Sequence, residues 1–287
     1  MRFSDRHENG KKKSEGSCND SIKTETIEDG RMEDKVVTKV KRLANIHGNF
    51  SYYDVSKFAR EEINVDVWGE LDRGRAIPET LDQLNYYWKS HAPMIRSQWE
   101  NVFNNCRIDS YSGGVEIIDY GCRDGLASLL FLDKFYSDFK KGVSKVKLIE
   151  PSSLALKRAK TVLQCYIPNT QMVDINKKLD ELETKDLETD QNLWKIHLFS
   201  NVLDIDDFDI AKLFNRIIES KGDHTFLAVS HDRNFLGGTP RLDWVYRAFT
   251  ESKYDHLKIN WSDQIKFNCT NRSQSPAICF IIDLKVL

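Results

Sequence analysis

VEIIDYGCRDGLAS, Val115 to Ser128, is the stretch on which the reading of this sequence turns. Val115, Ile117 and Ile118 suit a buried strand, with Glu116 the exception, and Asp119 precedes a glycine-containing bend from Gly121 to Gly125. Past the bend, Leu126, Leu129, Leu130, Leu132 and Phe135 recur at the three-and-four spacing of a helix. A strand, a tight glycine turn and a helix in that order point to an open α/β sheet. There a nucleotide-like ligand lies at the carboxyl end of the strand, because glycine lets the backbone approach it and the helix start offers free N–H groups.

Downstream, the pattern repeats as β-α units. VKLIE ends a second strand at Glu150, and SSLALKRAKTVL follows as a helix that buries Leu154, Leu156, Ala159 and Leu163. TQMVDI, around Asp174, is a weaker third strand, and the acidic run from Lys177 to Asp190 is too polar for core. WKIHLFSNVLDI supplies strand four with FDIAKLFNRIIES as its helix; HTFLAVS supplies strand five with PRLDWVYRAFTES. LKINW, QIKFNC and AICFIIDLKVL then follow with no helix between them. The expectation is a Rossmann-like α/β fold, a mainly parallel sheet closed by a C-terminal antiparallel hairpin.

Upstream, residues 35–110 read as a helical segment that caps the sheet domain of residues 111–287. Ser51 to Ala59 suggests one helix, Pro78 followed by ETLDQLNYYWKSHA a second, and MIRSQWENVF resumes the pattern after Pro93. Tyr86, Tyr87, Trp88 and Trp99 fall in these helices and read as their core rather than as a clamp for a planar substrate. Residues 1–34 hold almost no large apolar side chains and read as a disordered tail.

Composition narrows the functional classes. The 287 residues are 40% hydrophobic and 30% charged, with a formal net charge of -2, so no excess of Lys and Arg signals a nucleic-acid partner. The six cysteines are scattered, with no C-x-x-C pair and no Cys/His grouping at metal spacing, which fits reduced thiols and no bound metal. The apolar runs are strand-sized and the N-terminal residues lack a signal-peptide core, so a cytoplasmic protein away from membranes is expected.

Asp119 and Glu150 stand at the ends of the first two strands. In a doubly wound sheet these ends are neighbours at the ligand crevice, and an acid after the second strand can accept from both hydroxyls of a ribose. His197 lies mid-strand and reads as structural. His231, after strand five beside Asp232 and Arg233, is placed to act as a base or to orient an acceptor, and the Gly237-Gly238 pair beyond it suits a mobile lid.

With those residues in view, Val115 to Gly125, Glu150 and IHLFSNVLDI resemble the first, second and fourth motifs of class I S-adenosylmethionine-dependent methyltransferases. The resemblance runs from Val115 to the C-terminal strands, which in that family form a hairpin with the seventh strand inserted in the sheet. WKSHAPMIRSQWENVF and KVKLIEPSSLALKRA are further similar to a loosely characterised bacterial methyltransferase-like group. The resemblance implies S-adenosylmethionine as cofactor. Asp119, Gly121 and Gly125 would shape the loop under its methionine part, with backbone contacts from Tyr120 and Cys122. Glu150 would take the ribose hydroxyls, Pro151 and Ser152 would lie against the adenine, and Asp174 would accept from its amino group. Ser200 and Asn201 would face the methyl group, with Asn201 and His231 orienting an acceptor of unknown identity.

One departure matters: the family loop usually reads G-x-G-x-G, and here Arg123 replaces the middle glycine. The chain also lacks the [N/D]-P-P-[Y/F] turn used on exocyclic amines, and no Cys sits where cytosine chemistry needs a nucleophile. An alternative reading is a methyltransferase-like module without transfer chemistry, a sensing or scaffolding partner in a bacterial defence or stress system. A nicotinamide-dependent oxidoreductase fits less well, because the glycine spacing is not G-x-G-x-x-G.

Overall fold

Seven strands form one sheet: β1 (Val115–Tyr120), β2 (Val143–Ile149), β3 (Gln171–Ile175), β4 (Trp194–Ser200), β5 (Gly222–His231), β6 (Leu257–Asn268) and β7 (Pro276–Val286), in the order β3-β2-β1-β4-β5-β7-β6. The computed structural model describes residues 33–108, 113–135, 137–138, 142–233, 238–251, 255–271 and 274–287. The tail expected over 1–34 and the glycine lid at Gly237 therefore lie outside the described residues, the last two residues of the tail and Gly238 excepted. Asp34–Leu287 is one unit.

β3, β2, β1, β4 and β5 run parallel, and β7 is antiparallel to both β5 and β6. This is the mainly parallel sheet with a closing hairpin that the sequence leads one to expect. Two of the expected closing runs, LKINW and QIKFNC, are one continuous strand. Its register shifts between Ile259 and Trp261, and that bulge keeps both halves paired with β7. The sheet order reverses between β2-β1 and β4-β5, so a crevice opens at the carboxyl ends of β1 and β4.

Helices α1 (Lys35–His47), α2 (Tyr52–Glu61), α3 (Leu81–Ser90) and α4 (Ala92–Asn105) precede the sheet. Each start has a local cause. Asp34 caps α1 through the Val36 and Val37 N–H groups, Ser51 and Asp54 form a capping box on α2, and Thr80 and Gln83 form one on α3. Pro93 falls in the first turn of α4, where its missing N–H costs nothing. Pro78 lies outside α3, and its carbonyl accepts from Ser152 Oγ at 2.5 Å.

Helices α5 (Leu126–Phe135) and α6 (Ser153–Tyr166), a short α7 (Thr184–Leu187), α8 (Ile210–Ile217) and α9 (Gly238–Thr250) alternate with the strands. α1 to α6 share one apolar core with one face of the sheet, α3 through Trp88, while α8 and α9 share another with the opposite face. The acidic run after β3 contributes to the second core through buried Leu182 and Leu187, although its composition reads as surface.

Glu116, the exception in the first strand, is fully buried. Its carboxylate is 3.2 Å from Lys145 Nζ and 3.6 Å from Lys147 Nζ on β2. On the same face a polar chain crosses three strands. Tyr120 Oη is 3.0 Å from His197 Nδ1, His197 Nε2 is 2.9 Å from His224 Nδ1, and His224 Nε2 is 2.8 Å from the Ser220 carbonyl. His197 is thus the satisfied structural histidine its mid-strand position suggests.

Candidate functional site

A cavity of about 220 Å³ opens at the carboxyl ends of β1, β2, β4 and β5, with α3, α4 and the segment before α3 forming its other side. The bend after β1 sets its floor. Gly121, Arg123 and Gly125 have φ of 64, 48 and 82 degrees, a left-handed sequence that only glycine adopts without strain. At Gly125 a Cβ would come within 3.2 Å of the Ala159 Cβ, so the glycine lets α6 pack against the bend.

Glu150 follows β2 and lines the cavity. Its carboxylate accepts from the Arg123 N–H at 3.0 Å and from the Ser152 N–H at 3.0 Å, one bond to each oxygen. Each oxygen keeps a further acceptor site. Burial raises its pKa, while the Arg123 guanidinium and the two backbone donors pull the other way.

Asp119 is on the neighbouring strand, paired in register with Leu148 of β2, but it does not line the cavity. It is fully buried, and one oxygen accepts from Ser128 N at 3.2 Å and Ser128 Oγ at 2.7 Å. The carboxylate thus ties the bend to the first turn of α5. Burial pushes its pKa up to about 7 against the pull of the Ser128 bonds.

Arg123 lines the cavity and reaches across it toward the N-terminal segment. Its guanidinium donates to the carbonyls of Ala76, at 3.1 Å, and Gly74, and lies 4.3 Å from the Tyr87 ring centroid. With the Ser152–Pro78 bond, this fastens a strap, Gly74 to Pro78, across the β1–β2 side of the cavity. Tyr87 stacks on His91, and His91 on Trp68, continuing the layer along the rim.

Over the β4 side lies α4. Trp99 Nε1 donates to Ser200 Oγ at 3.0 Å, and Gln98 and Asn201 exchange amide bonds of 3.1 and 2.7 Å. Ser200 and Asn201 do line the cavity, yet their polar groups are engaged by the helix above them.

His231, at the end of β5, lines the cavity and makes no side-chain hydrogen bond among the described residues. Burial and the Arg233 charge lower its pKa, so the ring is neutral at pH 7. Arg233 is 3.1 Å from Asp204, which also accepts from Ser230. His91, across the cavity, is lowered to about 4 by burial and by Arg123.

Of the residues singled out in the sequence, Gly121, Arg123, Glu150, Pro151, Ser200, Asn201 and His231 line this one cavity. Asp119, Tyr120, Cys122, Gly125 and Ser152 stand behind it, supporting the bend and the strap. Cys122 N–H donates to the Ile149 carbonyl at 3.0 Å, and Tyr120 faces the sheet's polar chain. Asp174 is a correction: it sits on the edge strand β3, exposed and paired with Lys160 at 2.5 Å, away from the cavity. Tyr87, read from the sequence as helix core, instead lines the cavity, and the residues not given a site role in the sequence are the strap, His91, Met94 and Ile95 of the cover, Lys177 to Asp180 and the Asp204–Arg233 pair. Only the last carried a signal, as a polar cluster beside the ends of strands four and five.

Among the described residues, no group of His, Cys, Asp and Glu could hold a metal ion, and no helix is long and apolar enough to cross a membrane.

No family model matches the chain, and no curated protein matches it in sequence. Among solved structures, magnesium protoporphyrin IX methyltransferase from Synechocystis with bound SAM is 11% identical, with a TM-score of 0.40, covering 82% of this chain and 99% of that one. A putative RNA methyltransferase from Pyrococcus horikoshii is 11% identical with a TM-score of 0.39, covering 87% and 100%. A putative class I S-adenosylmethionine-dependent methyltransferase from Listeria monocytogenes is 13% identical with a TM-score of 0.40, covering 88% and 87%. These three solved structures are what the chain is similar to in fold.

Proposed function

We propose that the chain binds S-adenosylmethionine in this cavity and transfers its methyl group to an acceptor. The observation that carries the reading is Glu150, a cavity-lining carboxylate at the end of β2 with one unused acceptor site on each oxygen. Those two sites suit the paired hydroxyls of a ribose. Ile149, Pro151, Leu179 and Ile205 supply apolar wall for a planar base. The residues present therefore fit the nucleoside part of the cofactor.

Bound there, the cofactor supplies a methyl group on a good leaving group, so the protein's task is mainly to hold an acceptor in line. His231 is the group available to take the acceptor's proton, being neutral, half-buried and on the cavity wall. Asn201 acts through position: its amide is committed to Gln98, which fixes the floor under the acceptor.

Titration calorimetry with S-adenosylmethionine tests the reading. Micromolar binding is expected, and Glu150→Ala should weaken it at least tenfold, about 1.4 kcal/mol or more. The commitment of the Asn201 amide and the anchoring of Arg123 favour the second reading, a module that keeps the fold without transfer. A well-folded sample that does not bind the cofactor selects it.

A further inference from the structure

Resting on that reading, we infer that Arg123 and Ser152 are positioning residues that tie the strap to Glu150, making the strap the gate through which the cofactor enters and leaves. Both residues bond in two directions. Their backbone N–H groups hold the two oxygens of the Glu150 carboxylate. Their side chains hold the strap, Arg123 through the Gly74 and Ala76 carbonyls and Ser152 through that of Pro78. A ligand bonded to Glu150 shares the cavity with the strap, whose Gly74, Arg75, Ala76 and Ile77 line it. Fixing the carboxylate therefore fixes both anchors, and by linkage a fastened strap favours the bound ligand to the same degree.

The strap is the part of the cover suited to move. It is entered through three successive left-handed residues, Asp72, Arg73 and Gly74, with φ of 40, 56 and 90 degrees, and only the last is glycine. Such a backbone persists where its surroundings hold it and relaxes once they let go. The holding contacts are the Arg123 and Ser152 bonds, with one more between His91 and the Arg73 backbone. Arg75 and Ile77 are exposed and Gly74 and Ala76 half-buried, so opening uncovers little apolar surface. The groups that part are a guanidinium, a hydroxyl and carbonyls, all of which pass to water. α4, in contrast, seats Ala92, Ile95, Trp99, Val102 and Phe103 in the main core and stays in place.

Two measurements test this. The first needs no cofactor. Glu150→Gln keeps the shape of the side chain, but its amide nitrogen donates and cannot accept, so one of the two anchors is released. Exchange of the Arg75 and Ala76 amides, which are bonded to the Asp72 and Leu71 carbonyls, should then rise at least threefold by hydrogen-exchange mass spectrometry, with the β4 amides unchanged. Unchanged strap exchange, or a rise shared with β4, overturns the inference. The second arm follows S-adenosylmethionine by stopped-flow tryptophan fluorescence. Ser152→Ala would also remove the cap of α6, so Arg123 carries this test. In Arg123→Ala the association and dissociation rate constants should both rise at least threefold. A rise in dissociation alone marks a simple binding contact, and that result, or no change in either rate, overturns the inference. Absence of cofactor binding by the unaltered chain would instead sink the proposed function, leaving the exchange measurement to decide whether Glu150 holds the strap.

Discussion

Arg123 shows what a single side chain can do to a loop built for glycine. With φ at 48 degrees it carries backbone strain of about 1 kcal/mol, and its guanidinium holds the strap in return. Arg123→Gly should relieve the strain and lose the anchor together. Global stability is then expected to change by less than about 1 kcal/mol, while amide exchange at Arg75, Ala76 and Ile77 rises about tenfold by mass spectrometry. Asp119 gives a pH signature. Its folded pKa of about 7 exceeds the ordinary carboxylate value, so between roughly pH 4 and 7 the folded chain holds a proton that the unfolded chain has released. Its contribution to stability is thus complete in acid, falls as pH rises through that window, and levels off above pH 7. Relative to Asp119→Asn, the stability of the unaltered chain should drop by about 1.4 kcal/mol per pH unit within the window, measured by urea unfolding. At this scale the sequence was half legible. The positions of Asp119 and Glu150 follow from strand ends, but which carboxylate faces the cavity depends on Ser128 capturing Asp119, a contact that periodicity does not encode.

The bend between β1 and α5 is the element on which the site depends. Gly125 combines a φ of 82 degrees with close packing on Ala159 of α6, so Gly125→Ala meets both a strained backbone and a crowded Cβ. A loss of about 2 kcal/mol or more is expected in urea unfolding, with weakened cofactor binding as the bend shifts. This element was legible because glycine, strand and helix spacing are local signals. The strap from Gly74 to Pro78 was not. Its partners, Arg123 and Ser152, are 47 and 74 residues away, and nothing in its own composition marks it as cavity wall. For the same reason β6 reads as two strands: the bulge at Ile259 and Trp261 interrupts the alternation that signals one.

Across the whole molecule, the N-terminal helices and the sheet share a core. Val36, Val55, Trp88 and Trp99 from the helices pack in one cluster with Ile117, Leu148, Ile196 and Ile281 from the strands. A cap followed by a sheet domain is the natural reading of a chain that opens with helices before its strands begin, but a continuous core predicts joint unfolding. Tryptophan fluorescence, which reports Trp88 and Trp99 in the helices and Trp194 in β4, should change with the same midpoint as far-ultraviolet circular dichroism. The position of β7 has a bearing on biosynthesis. It lies between β5 and β6, and both precede it in the chain, so during translation each keeps an open hydrogen-bonding flank until β7 has cleared the ribosome. For that interval the nascent chain offers two templates for intermolecular pairing, which makes this stage the one at which a holding chaperone would contribute most to the yield of soluble protein.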